Sequence, residues 1–332
     1  MIWLTWRQFR TQTVVAAGAL AALAVAIAVT GPQLVHLYDT TVATCRAQHD
    51  CQLAIPAFTS QDHVLQNLTS LAMQVVPALI GIFWGAPLIA RELEAGTHRL
   101  AWTQSVTRGR WLAVKLGLAG LASVATAGLL SLMVTLWSSP FDRIGMNRLD
   151  PSVFGQRGIA PVGYAAFAFA LGVTAGMLIR RTLPAMAVTL AIFAAVQAAF
   201  ELRIRFHLMP PLRLASALNM GWVTQLGSGG PAGPGSLFVG VSPTLPGAWI
   251  GSSQVTTAAG QANLGPMPPA CGPNSTYSSC LAAIGRMHLR QVVIYQPDSR
   301  FWALQWYETA IYLALAAALA GFCIWWVRRR LS

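Results

Sequence analysis

Long apolar runs alternate with short polar joints along this chain, and that pattern organises the rest of its sequence. The apolar runs fall at roughly 13–31, 69–90, 111–137, 161–179, 183–200 and 303–327. At about 1.5 Å of rise per residue, helices of this length cross a hydrocarbon core of about 30 Å. The pattern predicts six transmembrane helices. Only Arg180, Arg181 and Thr182 separate the fourth run from the fifth. One continuous span would bury both arginines at roughly 2.5–3.5 kcal/mol each, so this basic joint is read as a turn between two helices.

Ahead of the first run, Trp3, Trp6, Arg7 and Arg10 have the i, i+3, i+4, i+7 spacing of one helical face. Tryptophan and arginine suit the headgroup layer, which predicts a separate interfacial amphipathic helix over residues 1–12. The first run is long for a cleaved signal sequence and lacks a small-residue cleavage site before Gly31-Pro32, so it is read as a retained span. Residues 201–300 contain no run of spanning length and are rich in Gly, Pro and Ser. That is too long for a plain linker. The pieces FVGVS, AWIGSS and RQVVIYQP read as short strands or turns. The expected organisation is an interfacial helix at 1–12, five spans within 13–200, a small extracytoplasmic subdomain at 201–300, and the last span with a basic tail at 301–332. The fold class is an all-α integral membrane protein.

Composition agrees and charge adds orientation. The chain is 55% hydrophobic and 10% charged, against about 25% charged in soluble domains. A net charge of +12 raises the question of nucleic acid. The basic residues, however, lie scattered at the ends of apolar runs, so no nucleic-acid partner is expected. With both termini placed in the cytoplasm, 12 of the 22 Lys and Arg residues fall in short inner stretches hugging the spans. The remainder spread over far longer outer segments, and density near the membrane is what sets topology. Cys45 and Cys51 then share the first outer loop, Cys271 and Cys280 share the last, and Cys323 sits alone in a span. One pair per outer loop suggests two local disulfides in an oxidising compartment. His36, His49 and His63 around the first pair raise a metal site as the rival, but the spacing matches no zinc pattern.

Signatures of catalysis are missing from the sequence. It has no G-x-x-x-x-G-K-[ST] loop, no H-E-x-x-H and no G-x-S-x-G, so no catalytic residue and no metal site are expected. Lys115 and Glu308 are the two ionisable residues read as intramembrane. Lys115 can snorkel to the inner headgroups. Trp306 and Trp325 are about 28 Å apart along a helix and mark the two interfaces, which puts Glu308 just below the outer one. It is either a structural residue, bonded to the outer subdomain or a neighbouring helix, or part of a substrate path. Gly81-x-x-x-Gly85 and Gly172-x-x-x-Gly176 permit close helix contact, within one chain or between two. Pro77 and Pro87 should kink the second span and free backbone groups that neighbours must satisfy.

The polar island RELEAGTHRLAWTQSVTRGRWLAVK, residues 91–115, carries five basic residues between two spans. Its Arg91-Glu92, Glu94, Gly96-Thr97, Ser105-Val106-Thr107-Arg108 and Lys115 resemble the loop between the second and third spans of ABC-2-type permeases, the membrane subunits of ATP-binding-cassette exporters. Gln104 and Ser105 stand where many members have proline, so the turn there departs from the family pattern. The tail YQPDSRFWALQWYETAIYLALA…WWVRRR resembles a bacterial subgroup of these permeases.

The resemblance implies a subunit in a bacterial cell membrane that pairs with a second copy or a homologue and docks a separate ABC ATPase on the cytoplasmic face. It makes 91–100 the coupling helix, with Arg91, Glu92, Glu94, Gly96, Thr97, His98 and Arg99 taking up the ATPase's motion. This chain would hold no cofactor, and ATP and Mg would be bound by the partner ATPase. Besides membrane lipids, its small-molecule partner would be an amphipathic cargo such as a drug or antibiotic, passing between subunits along spans two and five. Two other classes compete. A membrane sensor or scaffold would bind a ligand through its outer subdomain, and a co-purifying ATPase would argue against it. A membrane-embedded lipid- or glycan-modifying enzyme would need ionisable groups clustered at one depth, which the sequence does not show.

Overall fold

The computed structural model describes residues 2–48, 63–96, 107–143, 147–229, 233–272 and 275–330. Six of its helices are long and apolar enough to cross a membrane: Arg10–Cys45, Gln66–Glu94, Gly109–Trp137, Ala160–Ile179, Thr182–His207 and Asp298–Arg329, hereafter spans one to six. The first helix runs without a break from Ile2 to Leu37. Residues 2–12 are thus continuous with span one, where the sequence suggested a separate element. Span five extends past residue 200 to His207. The sequence reading stopped at 200 because Glu201, Arg203 and Arg205 interrupt the apolar run.

Span two is not a regular helix. An α-helix over His63–Leu79 passes through a π-helical turn at Ile80–Gly85 into a second α-helix at Ala86–Glu94. Pro77 and Pro87 flank the turn. Proline cannot donate to the carbonyl four residues earlier, which for Pro87 is that of Phe83. Span one satisfies that carbonyl, because Gln12 Nε2 donates to Phe83 O at 2.9 Å.

Span four is the packing centre, with nearly every residue from Ala160 to Met177 buried. Its small side chains let span two come into backbone contact. A Cβ on Gly81 would stand 2.7 Å from the carbonyl oxygen of Ala168, and one on Gly85 would stand 2.5 Å from that of Phe169. Gly172 and Gly176 face Gly81 and Ala86 in return. The two glycine motifs therefore interlock with each other inside one chain. Larger side chains close the core around this seam, including Trp84 and Ile89 of span two, Trp111 and Leu112 of span three, and Cys323 and Val327 of span six. Cys323 is a free thiol 3.2 Å from Thr174 Oγ1.

Met209–Phe301 form a separate compact unit between spans five and six. Its strands are β1 (Leu212–Ala217), β2 (Val223–Ser228), β3 (Leu237–Val241), β4 (Trp249–Thr256) and β5 (Arg290–Gln296). One antiparallel sheet has the order β1-β5-β4, and β2 pairs with β3 in a second. Each piece that the sequence suggested as strand or turn falls, but for one end residue, in β3, β4 or β5. In β3, Leu237, Val239 and Val241 alternate inward onto Val255, Leu264 and Ile284. A disulfide joins Cys271 to Cys280, whose Cα atoms are 4.5 Å apart, and fastens the helix Tyr277–Arg286 to the preceding turn. The other expected pair includes Cys51, which lies outside the described residues. Among the described residues no three His, Cys, Asp or Glu side chains gather as a metal site.

Candidate functional site

Charged side chains collect at both ends of the helical bundle. At the island end, span two finishes with Arg91, Glu92, Leu93 and Glu94 as the last turn of its own helix. Gly96 follows with a φ of +70°, a left-handed conformation that costs glycine little and stops the helix. Glu92 forms an ion pair with Lys115 of span three, whose side chain is 3% exposed. The Lys115 ammonium also lies 4.8 Å from the centre of the Trp111 ring. Glu94 accepts hydrogen bonds from Thr182 N at 3.1 Å and Thr182 Oγ1 at 2.8 Å. It thereby caps the first turn of span five, where backbone N–H groups lack helical partners and negative charge is favoured.

The turn into span five is made by Arg180, left-handed at a φ of 57°, and by Arg181 in extended conformation. Three spans thus meet on two acidic residues of one helical turn. Glu92 and Glu94, which the sequence reading offered as a docking face, each bond a neighbouring span of the same chain, and Glu94 remains exposed. Arg91 is exposed. Thr97, His98 and Arg99 lie outside the described residues.

At the opposite end the bundle encloses a buried polar network. Glu308 of span six and Arg205 of span five are both fully buried. Arg205 Nε donates to Glu308 Oε2 at 2.8 Å and its Nη2 to Glu308 Oε1 at 2.9 Å, a two-pronged pair. The same guanidinium donates to the Pro151 carbonyl at 3.2 Å and the Tyr164 hydroxyl at 3.2 Å, and stacks 4.6 Å from the Phe154 ring centre. Tyr164 donates in turn to Glu308. One helical turn before Glu308, Gln305 accepts from Ile159 N at 3.1 Å and Ala160 N at 2.8 Å, and donates to Phe154 O at 2.9 Å.

The connection between spans three and four supplies much of this network. Asp150 caps its short helix Pro151–Phe154 by accepting from Ser152 N at 2.9 Å. Arg157 pairs with Asp142 at 2.6 Å within the same connection. Burial pushes the Arg157 guanidinium below its ordinary pKa, and Asp142 opposes that shift.

Sequence reasoning placed Glu308 inside the last span but missed Arg205, Tyr164 and Gln305. Phe200, Leu202, Ile204 and Phe206 alternate with the period of a strand, so these residues carry no helical signal, although the fifth helix continues through the charges between them. The pairing itself had no local signal, because its partners are 103 residues apart.

Beside the network, spans two and five bound a cavity of about 500 Å³. Gln74, Ala78 and Ile82 line it from one face of span two, and Leu190, Gln197 and Glu201 from one face of span five.

A family model described as ABC-2 membrane transporter related matches residues 17–205, which covers most of span one, all of spans two to four and nearly all of span five. Comparisons with curated proteins and with solved structures each returned no significant match.

Proposed function

The chain belongs to the ABC-2 membrane transporter related family, and from that premise we propose that this multi-pass membrane protein is the transmembrane subunit of an ABC exporter. In this reading it pairs with a second copy or a homologue, and a separate ATPase subunit binds ATP and Mg. In the same reading that end and both termini face the cytoplasm of a bacterial cell, an orientation that the density of basic residues at the island end supports.

The observation that carries the coupling role is the double anchorage of segment 91–96. Glu92 is joined to span three through Lys115, and Glu94 to span five through Thr182. The segment is itself the end of span two. A partner gripping Arg91 and the adjoining Thr97, His98 and Arg99 would therefore move three spans together. The ties are charged or charge-assisted hydrogen bonds, the strong kind for transmitting a push. The cargo path runs along spans two and five, where the cavity of about 500 Å³ falls within the roughly 300–1,000 Å³ that small organic ligands occupy. Its lining, part amide and carboxylate and part aliphatic, suits a small amphipathic compound.

Glu94→Ala tests the coupling. The substitution leaves span five without this side-chain cap at an exposed position, a loss that a folded bundle should tolerate. In reconstituted membranes the ATPase should stay bound, while export of a lipophilic dye per ATP hydrolysed falls severalfold. Unchanged export per ATP would remove segment 91–96 from the coupling path.

A further inference from the structure

The cavity between spans two and five has a chemical bias that the exporter reading does not require. Among the described residues that line it, Glu201 alone carries a formal charge. Two cations follow on the same helix: Arg203, two residues on, is exposed and is not part of the lining, and Arg205, one turn on, has its guanidinium committed to Glu308 through two hydrogen bonds. The positive charge of Arg205 and the negative charge of Glu308 cancel, and the Glu201 carboxylate remains. No described residue forms a hydrogen bond or ion pair with it, and it is partly accessible from the cavity.

The rest of the lining is graded. Gln197 sits one turn before Glu201, and Leu190 lies a further two turns down the same face. From Leu190 to Glu201 is about 16 Å along the helix. Leu79 and Ile82 of span two flank the apolar end, and Phe193 offers a ring to it. A ligand fitting this surface has an apolar body and a single positive head. An anion would meet an uncancelled carboxylate in surroundings where charge repulsion is poorly screened. A metal ion would find one carboxylate where several oxygen ligands are needed.

We propose that the cavity between spans two and five binds a lipophilic organic cation, with Glu201 as its counter-charge. Calling that ligand the cargo rests on the exporter reading, but the binding itself does not.

The test uses the full chain in lipid nanodiscs without any ATPase, with empty nanodiscs subtracting partition into lipid. The probes are tetraphenylphosphonium and the anion of the same shape, tetraphenylborate. The wild-type chain should bind the phosphonium, and Glu201→Gln should weaken that binding about tenfold or more, tenfold being close to the loss of one charge contact under water-like screening. Glu201→Asp should keep most of it, and tetraphenylborate should bind the wild type more weakly than the phosphonium. Leu190→Trp, which fills the apolar end and leaves the carboxylate in place, should also reduce phosphonium binding and carries the test if Glu201→Gln does not fold. Equal phosphonium binding by wild type and a folded Glu201→Gln, or tighter binding of the borate, would overturn the proposal. A chain that binds the cation in this way but associates with no ATPase would instead sink the exporter reading and leave this one standing.

Discussion

Glu308 and Arg205 form a fully buried ion pair whose hydrogen-bonding groups are served from spans four, five and six and from the segment 151–160. Removing one member strands the other charge, which typically costs about 3–5 kcal/mol. We expect both Glu308→Ala and Arg205→Ala to unfold far more readily than the parent in a denaturant titration in detergent. The double replacement Arg205→Met with Glu308→Leu should be less damaging than either single change, because no unpaired charge is left behind. If both single variants match the parent, the pair is not what holds these spans. The position of Glu308 inside the last span was legible in the sequence. Its partner was not, since an ion pair between distant helices leaves no local periodicity. The same holds at the island end, where Glu92 reads as a solvated charge until Lys115 is seen beside it.

Among the elements, the spans were legible because hydrophobic length is a property of local sequence. Their extensions were not, because a charged residue ends an apolar run on paper even where the helix continues and a partner neutralises the charge. The glycine motifs illustrate a second limit. Their spacing announces a close contact, but only the packed bundle shows that span two meets span four. Gly85→Ala should therefore force these helices apart and lower the unfolding midpoint sharply. Gly18→Ala, where an added Cβ meets nothing within 4 Å, should be neutral or stabilising by up to about 1 kcal/mol, the helix propensity difference. Equal effects at both sites would contradict the seam. Gln12→Leu should cost about 1–3 kcal/mol by leaving the Phe83 carbonyl without its donor. A loss at Gln12 that persists when Pro87 is replaced by alanine, restoring a backbone donor, would show that Gln12 acts in some other way.

For the whole molecule, orientation rests on charge density alone and is directly testable. A membrane-impermeant thiol reagent should reach a cysteine placed at Ser228 in intact cells and fail to reach one at Thr97. Labelling at position 97 from outside would invert the topology. The small unit at Met209–Phe301 was legible as a subdomain by its composition, and its disulfide by cysteine spacing, but its sheet order required the fold. The central claim is that the island end receives a separate ATPase, and photo-crosslinking tests it most directly. A photoreactive amino acid at the exposed Arg91 should capture a protein that mass spectrometry of cross-linked peptides identifies as an ABC ATPase. The same group at Leu121, which is 69% exposed along span three, should capture none. Capture of no ATPase at Arg91, in cells where the chain is folded and inserted, would reduce the island to a topological anchor and contradict the account.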